Sequence, residues 1–412
     1  MEHKQFTIIV PTRERAEILE HTLRTCTTQD YENLTILVSD NYSQDGTADV
    51  INSFKDPRIK YINPGKRLSM TYHYEFALSH IEGGFVTILG DDDGLLPNAV
   101  ETCNNLLNET GLEAVNMNYY HDFYYWPNHP VKRQASMLKV SLESGFDIID
   151  AKKELGKVLN CKADYLRLPM IYSSFVSFNA INKIKKKTTS FFRSQAPDVY
   201  SGIALCDVVD KYVQSNKRLR LAGISAKSLG TSHLFNHENT APVLQAMTEE
   251  TVPFHERIKL NEATASISYI IAESLLQSFD AGLNQDEKSK FDLLPFIRIA
   301  VKEANTKAKA KHDEIIATTR YIAQKNNLEI TEVEKIIKSV ENNVVNLINY
   351  DLKRYMHPFI LINASLYQVN NIYDACLLHD EVYKNPFRYI AKASTWNYMF
   401  QLVFGEFHAR YR

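Results

Sequence analysis

The chain contains no Cys-x-x-Cys pair. Its five cysteines, Cys26, Cys103, Cys161, Cys206 and Cys376, are scattered without an even framework. That spacing argues against a disulfide scaffold and fits reduced thiols in a cytosolic compartment. No run of 18 or more apolar residues occurs, so no membrane-spanning helix is predicted. A formal net charge of −2 leaves no bulk footprint for nucleic acid, and none is expected as a partner. The first residues lead straight into an apolar strand pattern with no signal-peptide signature, so the expected location is cytoplasmic. No internal repeat of fixed period is evident. What is present is 412 residues, 44% of them hydrophobic, enough for two or three domains with a sizeable core.

The segment from Phe85 to Pro97 carries the most chemistry. An apolar strand runs into three consecutive carboxylates, Asp91, Asp92 and Asp93, and the chain then turns at Gly94 toward a helix. Adjacent acids repel, and a fold tolerates them when a cation or hydrogen-bond donors neutralise them. Hard oxygen ligands suit Mg²⁺ or Mn²⁺ carrying a phosphorylated ligand. An acidic surface turn is the plain alternative. Upstream, Phe6–Val10 reads as a strand ending at Pro11, Thr12 and Arg13. Ile18, Leu19, Thr22, Leu23 and Cys26 then form one face of a helix. Leu34–Val38 is a second strand, ending in a polar loop from Ser39 to Thr47 that holds Asp40 and Asn41. A helix with Val50, Ile51 and Phe54, a strand at Ile59–Ile62 and a helix from about Ser69 complete the alternation. Such alternation predicts an α/β fold with a mostly parallel sheet and flanking helices. Ligands of these sheets bind outside the carboxyl ends of the strands. Three polar loops share that edge.

The order Val10 to Arg13, Ser39 to Thr47, Leu68 to Met70 and Gly90 to Pro97 resembles family 2 glycosyltransferases of the Rossmann-like GT-A fold, over about residues 5 to 235. The resemblance implies an inverting, metal-dependent transferase that takes a nucleotide-diphosphate sugar, most often a UDP-sugar. The acceptor would be a hydroxyl of a glycan or lipid-linked glycan in surface polysaccharide synthesis, such as capsule or lipopolysaccharide. Pro11, Thr12 and Arg13 would lie beside the nucleotide. Asp40 would accept a hydrogen bond from the base, a charge-assisted contact suited to an imide N–H. Asn41 stands where the family often has a second acid. Lys66 and Arg67 would approach the diphosphate, or else lie in a solvated turn. The family's usual acidic motif begins with an acid where this chain has Gly90. Asp92 then matches the metal ligand, with Asp93 and Asp91 beside it. Asp198, at a helix start after Pro197, would be the general base on the acceptor hydroxyl, or would simply charge that helix terminus. His233 is a further candidate metal contact, with a surface-loop histidine as the alternative.

The organisation expected is a GT-A catalytic domain over residues 1–240, with a donor half to about 110 and an acceptor half from 111. A helical C-terminal domain over 241–412 follows, where glycine becomes rare. In the acceptor half, the rings from Tyr119 to Trp126 read as sugar-stacking groups or as core. Lys183, Lys185, Lys186 and Lys187 read as a solvated basic loop or an anion contact. In the C-terminal part, Ile258, Ala265, Ile267, Ile270, Ile271, Leu275 and Leu276 suggest one long helix. Glu303–Lys311 reads as exposed and charged, and Glu332–Leu352 as an amphipathic helix with Val333, Ile336, Ile337, Val340, Val344, Leu347 and Ile348 on its apolar face. These helices would pack on the catalytic core, a second copy or another protein. The basic, aromatic tail from Lys384 to Arg412 suits either a docked helix or peripheral contact with the inner face of a membrane. A sugar nucleotidyltransferase of related fold and a catalytically silent partner subunit are the competing functional readings.

Overall fold

The computed structural model describes residues 2–117, 122–227, 252–259, 266–307, 309–341 and 359–390. Thirteen strands are described. They are β1 (Phe6–Thr12), β2 (Leu34–Asp40), β3 (Ile59–Ile62), β4 (Phe85–Ile88), β5 (Gly94–Leu95), β6 (Ala114–Asn116), β7 (Phe123–Tyr125), β8 (Met137–Ser141), β9 (Phe146–Asp150), β10 (Ser174–Ser177), β11 (Lys211–Ser215), β12 (Arg220–Ile224) and β13 (Phe359–Asn363). The helices preceding residue 206 are α1 (Ala16–Thr27), α2 (Thr47–Ser53), α3 (Met70–Leu78), α4 (Ala99–Thr110), α5 (Ala151–Leu159), α6 (Phe178–Thr188) and α7 (Pro197–Leu205).

An eight-stranded sheet runs in the order β3-β2-β1-β4-β10-β6-β11-β9. β3, β2, β1 and β4 are mutually parallel, because each is followed by a crossover helix. The sheet turns antiparallel at β10. The apolar run Phe6–Val10 is buried on both faces, as a central parallel strand must be. α1 buries Ile18, Leu19, Thr22, Leu23, Thr25 and Cys26, the face expected from its spacing. With α4 it covers one side of the sheet, where Leu19, Leu23, Val100, Cys103 and Leu107 pack. On the opposite side Tyr74, Leu155, Ile181, Phe191 and Ile203 form a core that continues into the helical region.

That helical region comprises α8 (Ile267–Asp280), α9 (Gln285–Lys288), α10 (Leu294–Ala304), α11 (Lys309–Lys325) and α12 (Ile330–Glu341). Its buried side chains include Leu275, Phe296, Ile315, Val333, Ile336 and Ile337. α8 starts where the Ser266 hydroxyl accepts the Tyr269 N–H, so Ile258 sits in a separate turn rather than in one long helix. Glu303 is not a simple exposed charge. It accepts from the Ser266 hydroxyl at 2.8 Å, and burial pushes its carboxyl up to about 7.

The last described segment departs from a purely helical C-terminal unit. β13 pairs with β8 in a second, five-stranded sheet of order β13-β8-β7-β12-β5. α13 (Ile372–Lys384) and the short α14 (Pro386–Ile390) follow it. Ile372, Ala375, Cys376, Leu378 and Val382 of α13 pack with Tyr124, Leu138, Leu221 and Ile360. Asp122 ties this layer together. It accepts from the Ser141 N–H at 2.8 Å and pairs with His379 Nε2 at 2.6 Å, all of them buried. Tyr124 and Trp126 therefore belong to the core, while Tyr119 and Tyr120 lie outside the described residues. Lys183, Lys185 and Lys187 pair with Glu113, Glu75 and Asp207, so that basic cluster forms ordinary ion pairs on and beside α6. Among the described residues no helix is long and apolar enough to cross a membrane. The tail beyond residue 390 lies outside them.

Candidate functional site

Thr12 and Asp40 are direct neighbours at the carboxyl ends of β1 and β2, and the turn that begins at Leu89 leaves β4 beside them. The acidic turn is built from three directions. Thr22 of α1 donates its hydroxyl to the carbonyls of Asp91 and Asp93, both at 2.8 Å. Trp126 Nε1 donates to the Asp92 carbonyl at 3.2 Å. β12 passes so close that a Cβ at Gly223 would lie 1.6 Å from the Asp92 carbonyl oxygen. Gly94 is not the turn residue that the sequence suggests. It begins β5, and a Cβ there would meet Cys376 Sγ of α13 at 2.5 Å.

The three carboxylates have different surroundings. Asp91 accepts from Thr12 Oγ1 at 2.8 Å and from Arg15 at 2.7 Å. Burial raises its carboxyl, opposed by the Arg15 guanidinium. Burial works against the charge of Arg15 in turn, but Asp91 and Asp92 hold that guanidinium above its ordinary value. Arg15 also donates to the Lys227 carbonyl, joining the β1–α1 loop to the segment after β12. Asp93 points inward. Its two oxygens accept from the Gly223 N–H at 2.8 Å, Arg220 at 2.8 Å and the Tyr172 hydroxyl at 3.1 Å. Burial pushes the Asp93 carboxyl up to about 6 despite the pull of Arg220. Arg220, wholly buried, donates to the carbonyls of Ile88 and Tyr172 and lies 4.6 Å over the Tyr172 ring. Asp92 accepts from the Ser225 hydroxyl at 3.0 Å.

This donor set does not fit a divalent ion held by three protein carboxylates. Two of the three are ion-paired to guanidinium groups, at 2.7 Å and 2.8 Å. Among the described residues no cluster of three or more His, Cys, Asp or Glu is placed to hold a metal. Both oxygens of Asp93, one of the expected metal ligands, accept from protein donors in this arrangement. His233 lies outside the described residues.

At the nucleotide end, Asp40 is buried and accepts from the Ser43 N–H at 3.0 Å, the Tyr61 hydroxyl at 2.9 Å and the Asn63 amide at 3.2 Å. Asn41 clamps a neighbouring loop. Its amide donates to the Leu68 carbonyl at 2.7 Å and accepts the Leu68 N–H at 2.8 Å, clamping the loop before α3. Arg67 pairs with Glu14 at 2.7 Å, both half-exposed, and Lys66 is exposed. Pro11 is buried in β1, and Arg13 is half-buried just past it. Beneath Asp40, His73 Nε2 lies 2.8 Å from Ser39 Oγ, and burial pushes its imidazole down to about 4.

Asp198 opens α7, with Pro197 at the first helical position. It is half-buried, and burial raises its carboxyl. Tyr74 of α3 links it to the acidic turn. Burial, then the nearby charges of Asp198 and Asp91, raise the Tyr74 hydroxyl well above its usual range. One floor thus carries Asp198, Tyr74, Tyr172 and the Asp91–Asp93 turn. Sequence reasoning missed Arg15, Tyr61, Asn63, Tyr172, Arg220 and Ser225. The cue available was the pair Arg218 and Arg220 at the start of an otherwise apolar strand.

The sequence model described as glycosyl transferase family 2 matches residues 7–162. A GalNAc(5)-diNAcBac-PP-undecaprenol beta-1,3-glucosyltransferase of Campylobacter jejuni is 36% identical over 108 residues, covering 26% of this chain and 35% of that protein. Glycosyltransferase GlyG of Streptococcus pneumoniae is 25% identical over 118 residues, 27% of this chain and 38% of the other. The chain thus spans little more than a third of the length of these two relatives. The crystal structure of S. aureus TarS 1–349 superposes with a TM-score of 0.45 at 13% identity, over 82% of this chain and 92% of that one. The matched residues 7–162 carry the β1, β2 and β4 loops of the site.

Proposed function

We propose that the chain transfers a glycosyl group from a nucleotide-diphosphate sugar, a UDP-sugar, to a hydroxyl of a glycan or lipid-linked glycan in surface polysaccharide synthesis. The observation that carries this reading is the shared floor. Asp40 and the acidic turn follow β2 and β4, the two strands that flank β1, and Asp198 and Asp91 both lie near the Tyr74 hydroxyl. The named activity of the Campylobacter jejuni relative, glucosyl transfer onto an undecaprenol-linked glycan, supports the acceptor class.

In this reading Asp40 accepts the imide N–H of the base, with Tyr61 and Asn63 holding its carboxylate. Asp198, with its carboxyl raised by burial, withdraws the proton of the acceptor hydroxyl. The acceptor oxygen bonds to the anomeric carbon from the face opposite the diphosphate, which departs with the bonding electron pair. The configuration inverts. Asp92 is the acid of the turn that would hold a divalent cation together with the donor diphosphate, and the cation would neutralise the charge of the departing group. The donor half corresponds to about residues 1–110 and the acceptor half to 111–240. The helical region from 241 is assigned a supporting role, with its closing strand and helix returned to the catalytic layer. We place the chain at the cytoplasmic face of a membrane, where lipid-linked acceptors are presented.

A thermal-shift screen with UDP, GDP and CMP tests the donor assignment, since a ligand that binds the native state raises its melting temperature. Stabilisation by UDP alone is the expected result. Release of UDP from UDP-glucose or UDP-N-acetylglucosamine identifies transfer or hydrolysis. Release of pyrophosphate identifies a nucleotidyltransferase instead, and no stabilisation by any nucleotide supports a silent subunit.

A further inference from the structure

The helix that carries Asp198 has no cap of its own. Its N-cap position is Ala196, which offers no side-chain acceptor, and Pro197 has no N–H to give. What fixes the start of α7 is Ser194, two residues before Ala196. Ser194 is wholly buried, and three parts of the molecule meet on it. Its hydroxyl accepts the Ala196 N–H at 3.2 Å. Its backbone carbonyl accepts from Thr71 Oγ1 of α3 at 2.7 Å. The hydroxyl in turn donates to Glu273 Oε2 of α8 at 2.6 Å and lies 3.1 Å from Ser274 Oγ. Between them, Gln195 Nε2 donates to the Val252 carbonyl at 2.9 Å.

Glu273 is an unusual occupant of its place. α8 turns Tyr269, Ala272, Leu275, Leu276 and Phe279 into the core, and among them it buries a carboxylate that is 1% exposed. Its hydrogen-bond donors are neutral. The Ser194 hydroxyl meets one oxygen. The His255 N–H, at 3.1 Å, and Gln277 Nε2, at 2.8 Å, meet the other. A carboxylate so placed is costly to bury unless donors surround it, and an apolar residue would fill the same space without that cost. The arrangement has a use if the orientation of Ser194 matters.

We propose that Glu273 is a positioning residue for Asp198. Through the Ser194 hydroxyl it sets where α7 begins and therefore where the Asp198 carboxylate stands, so the helical region takes part in the transfer step without touching substrate. The inference rests on Asp198 being the base. Displacing a reacting group by about 1 Å costs on the order of 100-fold in rate, so a loosened α7 start lowers turnover while leaving the distant Asp40 end of the donor site intact.

The test compares the full-length wild-type chain with Glu273→Ala, Glu273→Gln, Ser194→Ala and Asp198→Asn. UDP release from UDP-glucose and from UDP-N-acetylglucosamine gives kcat and KM, and UDP titration gives Kd. Expected for Glu273→Ala is a kcat loss of about 10- to 100-fold with KM and the UDP Kd within about twofold of wild type. Glu273→Gln, which keeps an acceptor for Ser194 but sets an amide NH2 against the His255 N–H, recovers part of that loss. Ser194→Ala removes a single oxygen and reproduces the loss, so it decides the matter if Glu273→Ala fails to fold. Wild-type kcat in Ser194→Ala and Glu273→Ala, beside an inactive Asp198→Asn, overturns the positioning role and leaves the base reading intact. Full activity in Asp198→Asn removes the base reading itself. Absence of UDP release by the wild-type chain removes both.

Discussion

At the scale of single residues, charge pairing determines what each acid of the turn can do. Arg220 is the partner that makes Asp93 tolerable in the core, and it does so with a planar fork aimed at three acceptors at once. Removing it by Arg220→Met leaves a buried carboxylate uncompensated, and such losses cost about 3–5 kcal/mol. Arg220→Lys is expected to recover little, because a point charge cannot serve all three acceptors. Equilibrium denaturation of both variants checks this. His73 supplies a pH dependence. Its folded value near 4 lies below its unfolded value of 6.5, so the unfolded chain binds the extra proton first. Stability from this group is fully present above pH 6.5 and is lost as pH falls toward 4. It amounts to about 3 kcal/mol over that window. His73→Gln is expected to flatten the fall in melting temperature between pH 6.5 and 4.5, and an unchanged slope would refute the assignment. Asp40, Asp91, Asp92, Asp93 and Asp198 were legible in the sequence because each stands at a recognisable strand or helix end. Arg220 was not, since its partner is 127 residues away and no local pattern links them. The loop-clamping contacts of Asn41 were not legible for a related reason. Its loop position is shared by nucleotide-facing and loop-clamping residues alike, and only the Leu68 contacts distinguish them.

At the scale of elements, periodicity carried most of the information where a strand or helix has one buried face. β1, β2, β4 and α1 follow their apolar spacing closely. The failures fall where short strands pair across long separations. β5 is two residues long and owes its existence to β12. β13 sits in a region otherwise helical and owes its existence to β8. Neither pairing leaves a local signature. β12 also imposes the tightest steric demand in the site. Gly223→Ala drives a methyl into the Asp92 carbonyl, and overpacking of this kind costs about 1–3 kcal/mol or more. The expected outcome is a lowered melting temperature together with weaker UDP binding, read by thermal melting and titration. A Gly223→Ala chain that binds UDP as tightly as wild type would show that the Asp92 turn does not contact the donor.

At the scale of the whole molecule, the pairing of Asp91 with Arg15 and of Asp93 with Arg220 leaves the acidic turn far less negative than its sequence implies. Mn²⁺ added to the chain alone is expected to show no saturable site in a calorimetric titration. A stoichiometric site in the absence of nucleotide would contradict the geometry described. Truncation before residue 359 removes β13 and α13, uncovers Tyr124, Leu138 and Leu221, and takes away the helix against Gly94. The shortened chain is expected to lose UDP-dependent stabilisation even if its helical region still folds, as circular dichroism with thermal shift would report.

The contact between Gly94 and Cys376 also bears on how the protein is made. The acidic turn leaves the ribosome early, but the helix that supports it follows roughly 280 residues later. At about 5–20 residues per second, the interval is roughly 15 s to a minute. Throughout it, the nascent turn and its apolar surroundings stand without their final cover. A chain released early is expected to be a client of chaperones and proteases rather than a weakened transferase. Donor binding is expected to begin only after translation of the C-terminal layer is complete.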